Sequence, residues 1–199
     1  MRLRIRTRGY FASCIFLVSG LAMPAQQTPA EPAKAVSHDA AGEHDGQHDF
    51  DFLFGRWKSH QRRLLHPLTG SNDWVEFDAT LVVRQALGGS ANVDELEGET
   101  PFGHLDGLTV RTYNSKSRQW SIYWANKTNG VISLPATVGQ FKDGRGEFYD
   151  QEDYNGKNIF VRYLWIVSAD TPRWEQAFSI DGGKTWETNW VATFVRDKQ

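Results

Sequence analysis

Apolar and polar residues alternate over short spans from about residue 55 to the end of the chain, where Thr, Val, Trp, Tyr and Phe are frequent. This period of two is typical of half-buried β-strands, and no window of helical length keeps a period of 3.6 residues. The pattern predicts ten strands, near residues 56–65, 73–86, 90–98, 107–114, 118–126, 130–141, 145–152, 157–168, 173–180 and 184–196.

Short turn sequences separate these strands. The strongest is Asn155-Gly156, because both residues tolerate the positive φ angles of a tight hairpin. Short turns make sequential strands antiparallel neighbours, so we predict an all-β antiparallel meander of about ten strands that closes into a barrel. A barrel of this size has room for one small ligand. A two-sheet sandwich is the alternative architecture.

Residues 1–25 have the features of a signal peptide. Four arginines alternate with other residues at positions 2–8, and residues 11–22 form an apolar run that is too short to span a bilayer as a stable helix. The pattern predicts export and therefore a periplasmic or secreted protein; an amphipathic N-terminal helix of a cytosolic protein is the alternative. The only cysteine, Cys14, lies inside the apolar run, so the mature chain would have no thiol and no disulfide.

The charge balance bears on the partners. The chain has 22 Lys and Arg and 24 Asp and Glu, and four of the basic residues lie in the leader, which leaves 18 against 24 and a mature charge of −6. We therefore expect no nucleic-acid partner and no attraction to an anionic membrane. We also expect no membrane insertion of the mature chain. The sequence does not indicate the oligomeric state.

Residues 26–48 are rich in Ala, Pro, Gln, Gly, Asp and His and have few apolar residues that could be buried. This composition predicts a disordered linker, followed by the barrel domain at residues 49–199. Three His-Asp pairs, at positions 38–39, 44–45 and 48–49, are of residue types that bind Zn²⁺, Cu²⁺ or Ni²⁺. Their spacing matches no defined site, so we predict no metal and no cofactor.

The segment Ser179–Trp186 fits the Asp-box pattern, Ser-x-Asp-x-Gly-x-Thr-Trp. In this hairpin the carboxylate of Asp181 accepts backbone N–H groups, Gly183 supplies an unusual φ angle, and Trp186 packs beneath the turn. Sialidase propellers carry several such boxes, whereas this chain has one good copy, so a structural role is predicted. The chain has no Gly-x-Ser-x-Gly, His-Glu-x-x-His or phosphate-binding glycine loop, and no catalytic residue is predicted.

Charged residues inside predicted strands suggest a ligand site. An arginine that faces inward between tryptophan walls could hold a ligand carboxylate or phosphate. We therefore predict that the barrel binds a small molecule that is partly apolar and anionic. The candidate ligand-binding residues are Arg111, Trp124, Arg162, Trp165, Gln176 and Trp190. Local cross-strand ion pairs are the alternative explanation for such charges.

Two other functions remain open. The first is an enzyme of the same fold, an isomerase or a hydrolase, with Asp94, Glu95 or Glu187 as acid or base. The second is a protein-interaction module whose exposed aromatic residues form the contact surface. We favour binding over catalysis, because no catalytic signature is present.

Three motifs lie within residues 49–196: Phe50-Asp51-Phe52-Leu53-x-Gly55-x-Trp57, Leu87-Gly88-Gly89-x-x-Asn92-x-Asp94-Glu95 and Trp120-x-x-Tyr123-Trp124. Over this range the chain resembles a family of bacterial lipocalin-like proteins of unknown function. The resemblance implies a calycin-like barrel and brings no catalytic residue. Gly55 and Trp57, with the late Arg196, are also similar to the lipocalin pairing of an N-terminal Trp with a C-terminal Arg, which implies a structural role for these residues.

Overall fold

Ten antiparallel strands form a closed barrel in the computed structural model, which describes residues 45–198. Each strand pairs with the next one along the chain, and the last pairs with the first, so the predicted barrel is confirmed and the sandwich is not formed. Two short 3₁₀ segments, Asp51–Leu53 and Leu87–Gly89, accompany the strands. The strands are β1 (Gly55–Leu64), β2 (Trp74–Ala86), β3 (Ala91–Thr100), β4 (Gly103–Asn114), β5 (Gln119–Asn126), β6 (Thr137–Lys142), β7 (Arg145–Tyr154), β8 (Lys157–Ile166), β9 (Arg173–Ser179) and β10 (Glu187–Arg196).

The sixth strand is shorter than predicted. Residues 127–136 form a loop, and β6 begins only at Thr137 instead of at residue 130. Pro135 has no N–H to donate to a ladder, and Gly130 takes a positive φ of 64°, so neither residue suits a strand interior. The N–H of Ser133 nevertheless donates to the carbonyl of Trp124 over 2.7 Å, which ties the loop to β5.

One end of the barrel, here called the plugged end, is closed by the residues that precede β1. The indole Nε1 of Trp57 donates to the carbonyl of Leu53 over 2.7 Å. The guanidinium of Arg196 donates to the carbonyls of Phe52, over 2.7 Å, and Phe54, and it lies 3.7 Å above the Trp57 ring. Trp57 and Arg196 are also directly paired across β1 and β10. The start and the end of the barrel therefore meet at one buried contact.

Residues just before the predicted domain boundary at residue 49 also contact the plugged end. The indole of Trp120 donates to the carbonyl of Gly46 over 2.9 Å, and Gly46 is buried. The ring of Phe50 packs edge-on against Trp120 at 5.1 Å and against Phe141 at 4.8 Å. Gly46 thus takes part in the plug. The predicted signal peptide and linker residues 26–44 lie outside the described residues.

The predicted Asp-box forms the turn between β9 and β10. The carboxylate of Asp181 accepts the N–H groups of Lys184 and Thr185 over 3.0 and 2.9 Å and the hydroxyls of Ser179 and Thr185 over 2.8 and 2.6 Å. These bonds, led by the one from the Thr185 hydroxyl, hold the pKa of Asp181 well below its usual range. The turn ends at Trp186, so β10 starts three residues later than predicted.

Candidate ligand-binding site

The barrel contains an internal cavity of about 270 Å³. It reaches toward the end at which β1, β3, β5, β7 and β9 finish, here called the upper end, and lies on the other side of the core from Trp57. Its volume is just below the range of about 300–1,000 Å³ that is typical of ligand pockets. The lining residues come from most strands and include Gln61, Arg63, Asp94, Thr109, Arg111, Trp124, Glu152, Tyr154, Tyr163, Trp165, Trp174, Gln176, Phe178 and Trp190.

Aromatic side chains form one wall of the cavity. Trp190 meets Trp124 at 6.3 Å and Trp174 at 5.6 Å between ring centroids, and Tyr163 meets Trp174 at 5.2 Å. All three contacts are edge-to-face, which is a favoured arrangement of aromatic pairs. The rings therefore hold one another in place and present flat apolar faces to the cavity.

Hydrogen bonds fix part of this wall. The indole of Trp190 donates to Gln61 over 2.8 Å, and the amide of Gln61 donates to Ser59 over 3.0 Å. The amide of Gln176 donates to Asn189 over 2.7 Å. By contrast, the indole N–H of Trp165 is buried and has no hydrogen-bond partner among the described residues.

A buried ion pair lies deeper in the cavity. Arg111 on β4 places its Nη1 2.5 Å from a carboxylate oxygen of Asp94 on β3, and the same nitrogen donates to Asn92 over 2.9 Å. The side chains of Arg111 and Asp94 are only 5% and 1% exposed. The positive charge of Arg111 is therefore paired with the carboxylate of Asp94. This is the result expected if charged residues inside the strands form local cross-strand ion pairs.

A second polar cluster lies on the inner face of β7. Asp150 accepts the hydroxyl of Thr137 over 2.6 Å, and burial raises the pKa of its carboxyl. Burial and the nearby Asp150 raise the pKa of Glu152 from 4.5 to about 6. The pKa of Tyr163 is also raised, first by burial and then by these two carboxylates. The side chain of Glu152 makes no hydrogen bond or ion pair with another side chain within residues 45–198.

Five of the six candidate ligand-binding residues line the cavity: Arg111, Trp124, Trp165, Gln176 and Trp190. The placement predicted for Arg162 is wrong. Its guanidinium lies on the outer face of β8, 4.8 Å above the ring of Trp186, because Tyr163 and Trp165 take the inward positions of that strand.

Sequence reasoning missed several cavity residues. Trp174 shares a strand face with Gln176, so the choice of Gln176 already implied it. Glu152 follows Phe148 at a spacing of four on β7, which places both on the inner face. That alternation was the available signal, but the dense run of polar residues at 150–153 hides it.

The carboxylates considered for catalysis are not brought together. Asp94 lines the cavity, whereas Glu95 is exposed and lies 3.3 Å from Arg84 on the barrel surface. Glu187 accepts the backbone N–H of Leu68 over 2.6 Å outside the cavity. Of the three carboxylates considered for an enzyme, only Asp94 therefore lines the cavity.

One group of potential metal ligands lies on the outer face of the β3–β4 hairpin. Potential ligand atoms of Glu97, His104 and Asp106 lie within 4.8 Å of one another. His104 is bonded to Glu99 at 2.7 Å, and Lys127 donates to Asp106 over 2.7 Å. These contacts account for the cluster as a surface charge network. Separately, no helix within residues 45–198 is long and apolar enough to cross a membrane.

Comparisons with known proteins support the fold. No protein-family model matches the chain, and no curated protein sequence matches it. Among solved structures, the S-type phycobiliprotein lyase CPES from Guillardia theta is similar, with a TM-score of 0.52 and 17% sequence identity over 75% of this chain and 91% of that chain. At this identity the similarity concerns the architecture. The described chain therefore has a lipocalin-like barrel fold, and membership of the bacterial family named above stays a prediction.

Proposed function

We propose that the protein is an exported binding protein that holds one small, mostly apolar molecule inside its barrel. The observation that carries this proposal is the cavity of about 270 Å³, which is walled by edge-to-face aromatic rings. A well-formed apolar pocket with a few convergent polar groups is the usual form of a small-molecule site. The volume suits a small molecule of up to about three rings.

The proposal revises how the ligand would be held. Arg162 lies outside the cavity and the charge of Arg111 is matched by Asp94, so these arginines do not support the predicted anion site. Within the described cavity, Arg63 is the other cation, and it stacks 4.7 Å above Trp190. The ligand would therefore pack mainly against the aromatic wall.

Binding can be tested with 1-N-phenylnaphthylamine, a neutral probe whose fluorescence rises in apolar surroundings. We expect saturable binding to the wild type. Ala192→Leu should weaken this binding about tenfold or more, because Ala192 lines the cavity and is 1% exposed, so that its enlargement fills the space. Thr193→Leu is the matched control, since Thr193 is the next residue along β10 and is exposed. Equal binding by both variants, or no binding by the wild type, would contradict the proposal.

Two further measurements test whether the protein carries a ligand in its host and whether it is exported. Native mass spectrometry of protein purified from its own host should show an additional small-molecule mass that is lost in the Ala192→Leu variant. Export is a separate part of the proposal and rests on the leader pattern of residues 1–25. The mature protein should be found outside the cytoplasm with its N-terminus close to residue 26, and an intact leader on cytoplasmic protein would contradict export.

A further inference from the structure

Two carboxyl groups lie close together on the inner face of β7 without full compensation. One oxygen of Asp150 accepts the Thr137 hydroxyl, while its other oxygen is buried and has no hydrogen-bond partner in the described chain. Glu152 lines the cavity two residues further on and has no partner within residues 45–198. A carboxylate removed from water in this way is unfavourable unless a cation or a proton neutralises it.

The two arginine side chains of the cavity do not pair with these carboxylates. Arg111 is paired with Asp94, and Arg63 stacks on Trp190. Burial lowers the pKa of Arg63, and the nearby Tyr154 acts in the opposite direction. Neither arginine lies within ion-pair distance of Asp150 or Glu152. The cavity lining thus carries two cationic side chains that are engaged elsewhere, while the carboxyl groups of Glu152 in the lining and of nearby Asp150 lack a cation.

The surroundings of Glu152 are aromatic. Tyr163 on β8 is close enough for the Glu152 charge to raise the pKa of its phenol, and Tyr154 follows two residues later on the same face of β7. Tyr163 in turn packs against Trp174. Aromatic faces attract cations through their negative quadrupole, and a carboxylate beside them adds direct charge attraction.

We propose that the cavity binds a ligand that carries a protonated amine, with the ammonium group held by Glu152 and the apolar body packed against the aromatic wall. This inference rests on the proposed binding function and names the chemical class of the ligand. The ammonium group would donate to the free carboxylate and bring the positive charge that the inner face of β7 lacks. An anionic ligand would meet two like charges at the same place.

Three probes with similar size and one phenyl ring separate the effect of charge from that of shape: 2-phenylethylamine, 2-phenylethanol and 3-phenylpropionate. Calorimetric titration near pH 7.5, where an alkylamine is protonated and Glu152 is ionised, should give the tightest binding for the amine. We expect the amine to bind about tenfold more tightly than the alcohol, and the acid to bind more weakly than the alcohol.

The isosteric substitution Glu152→Gln removes the charge and keeps the shape. It should weaken amine binding about tenfold and leave binding of 2-phenylethanol unchanged within about twofold. Asp153→Asn is the matched control, because Asp153 is the next residue, is exposed, and accepts the Gly156 N–H in the turn, which the amide oxygen of Asn can also accept. This control should bind the amine as the wild type does.

The pH dependence provides a readout that needs no variant. Amine binding should weaken as the pH falls through about 6, because Glu152 then takes up a proton. The other titratable and charged groups near it are Asp150 and Tyr154 on β7, Tyr163 on β8 and Arg63 on β1. Tyr163 and Arg63 keep their protons over this range, so in Glu152→Gln only the smaller pH dependence that comes from Asp150 should remain.

The outcomes distinguish this inference from the function on which it rests. If the phenylnaphthylamine probe and all three phenyl compounds fail to bind, both the binding function and the amine inference fail. If the alcohol or the acid binds as tightly as the amine, the amine inference is wrong while the binding function stands. The same conclusion follows if Glu152→Gln weakens the alcohol and the amine equally, since Glu152 would then act through the shape of the cavity.

Discussion

Replacing Arg111 by Met should destabilise the barrel strongly, because it leaves the carboxylate of Asp94 buried without a cation. The two side chains are 5% and 1% exposed, and the closest nitrogen–oxygen distance is 2.5 Å. The substitution also removes the donor to Asn92. Breaking a buried ion pair in this way typically costs about 3–5 kcal/mol, and we expect the lower end, about 3 kcal/mol, since the contact is close but not aligned as a hydrogen bond. This loss is a large part of the roughly 5–15 kcal/mol by which a domain is stable.

The loss can be measured by urea unfolding, followed by tryptophan fluorescence. Arg84→Met is the control, because Arg84 lies on the neighbouring β2 and pairs at 3.3 Å with Glu95, where both side chains are more than half exposed. Such a surface pair contributes about 0–1 kcal/mol. Adding Asp94→Asn to Arg111→Met should restore part of the stability, because the buried charge is removed. The reasoning is refuted if Arg111→Met costs no more than Arg84→Met, or if the second substitution makes the loss larger.

Three further substitutions test the plug, the wall and the carboxyl cluster. Arg196→Ala should lower the free energy of unfolding by about 2–3 kcal/mol in urea titration, because it removes two hydrogen bonds to the plug and the stacking on Trp57, and Arg196→Lys should recover only part of this. Gly107→Ala would place its Cβ 2.0 Å from the Trp124 ring, so we expect the ring to shift and phenylnaphthylamine binding to weaken or vanish. Glu152→Gln should stabilise the protein by about 1 kcal/mol at neutral pH. The pKa of Glu152 is about 6 in the folded protein against 4.5 for an unperturbed side chain, so the ionised carboxylate is unfavourable in the fold. The expected gain in stability is reduced because the side chain is partly exposed. That gain should disappear as the pH falls from about 6 to 4.5, and a gain that persists at low pH would contradict the assigned cause.

The strand order and the barrel were predictable because they follow from local signals. Alternation marks each strand, and turns such as Asn155-Gly156 make neighbours antiparallel, so a closed meander is the simplest arrangement. The loop at residues 127–136 was missed because its Val131, Ile132 and Leu134 look like a strand, whereas they are exposed in the structure. Composition cannot reveal that such apolar residues remain in solvent.

The inner face of β8 was not predictable from its own residues. Val161, Tyr163 and Trp165 occupy one face, and Phe160, Arg162 and Leu164 occupy the other, so large groups lie on both sides. The pairing with β7 and β9 decides the orientation, since Tyr163 stands opposite Phe148 and Gln176, which both face inward. A shift of one residue would have exchanged the two faces. The error at Arg162 is therefore a register problem that only long-range pairing resolves.

Some polar groups inside the barrel are satisfied by the described chain and others are not, and this difference bears on function. At the plugged end the indole of Trp57 and the guanidinium of Arg196 both donate to backbone carbonyls, so closing the barrel there adds stability. Beside the cavity the indole N–H of Trp165 is buried without a partner in the described chain, at a cost of about 1–3 kcal/mol, and the partly exposed carboxylate of Glu152 has no side-chain partner there. Apolar side chains at these positions would avoid that cost and fill the cavity. A ligand with an ammonium group would supply the positive charge that Glu152 lacks, which is why the polar part of the cavity, more than its size, points to the chemistry of the ligand that we propose.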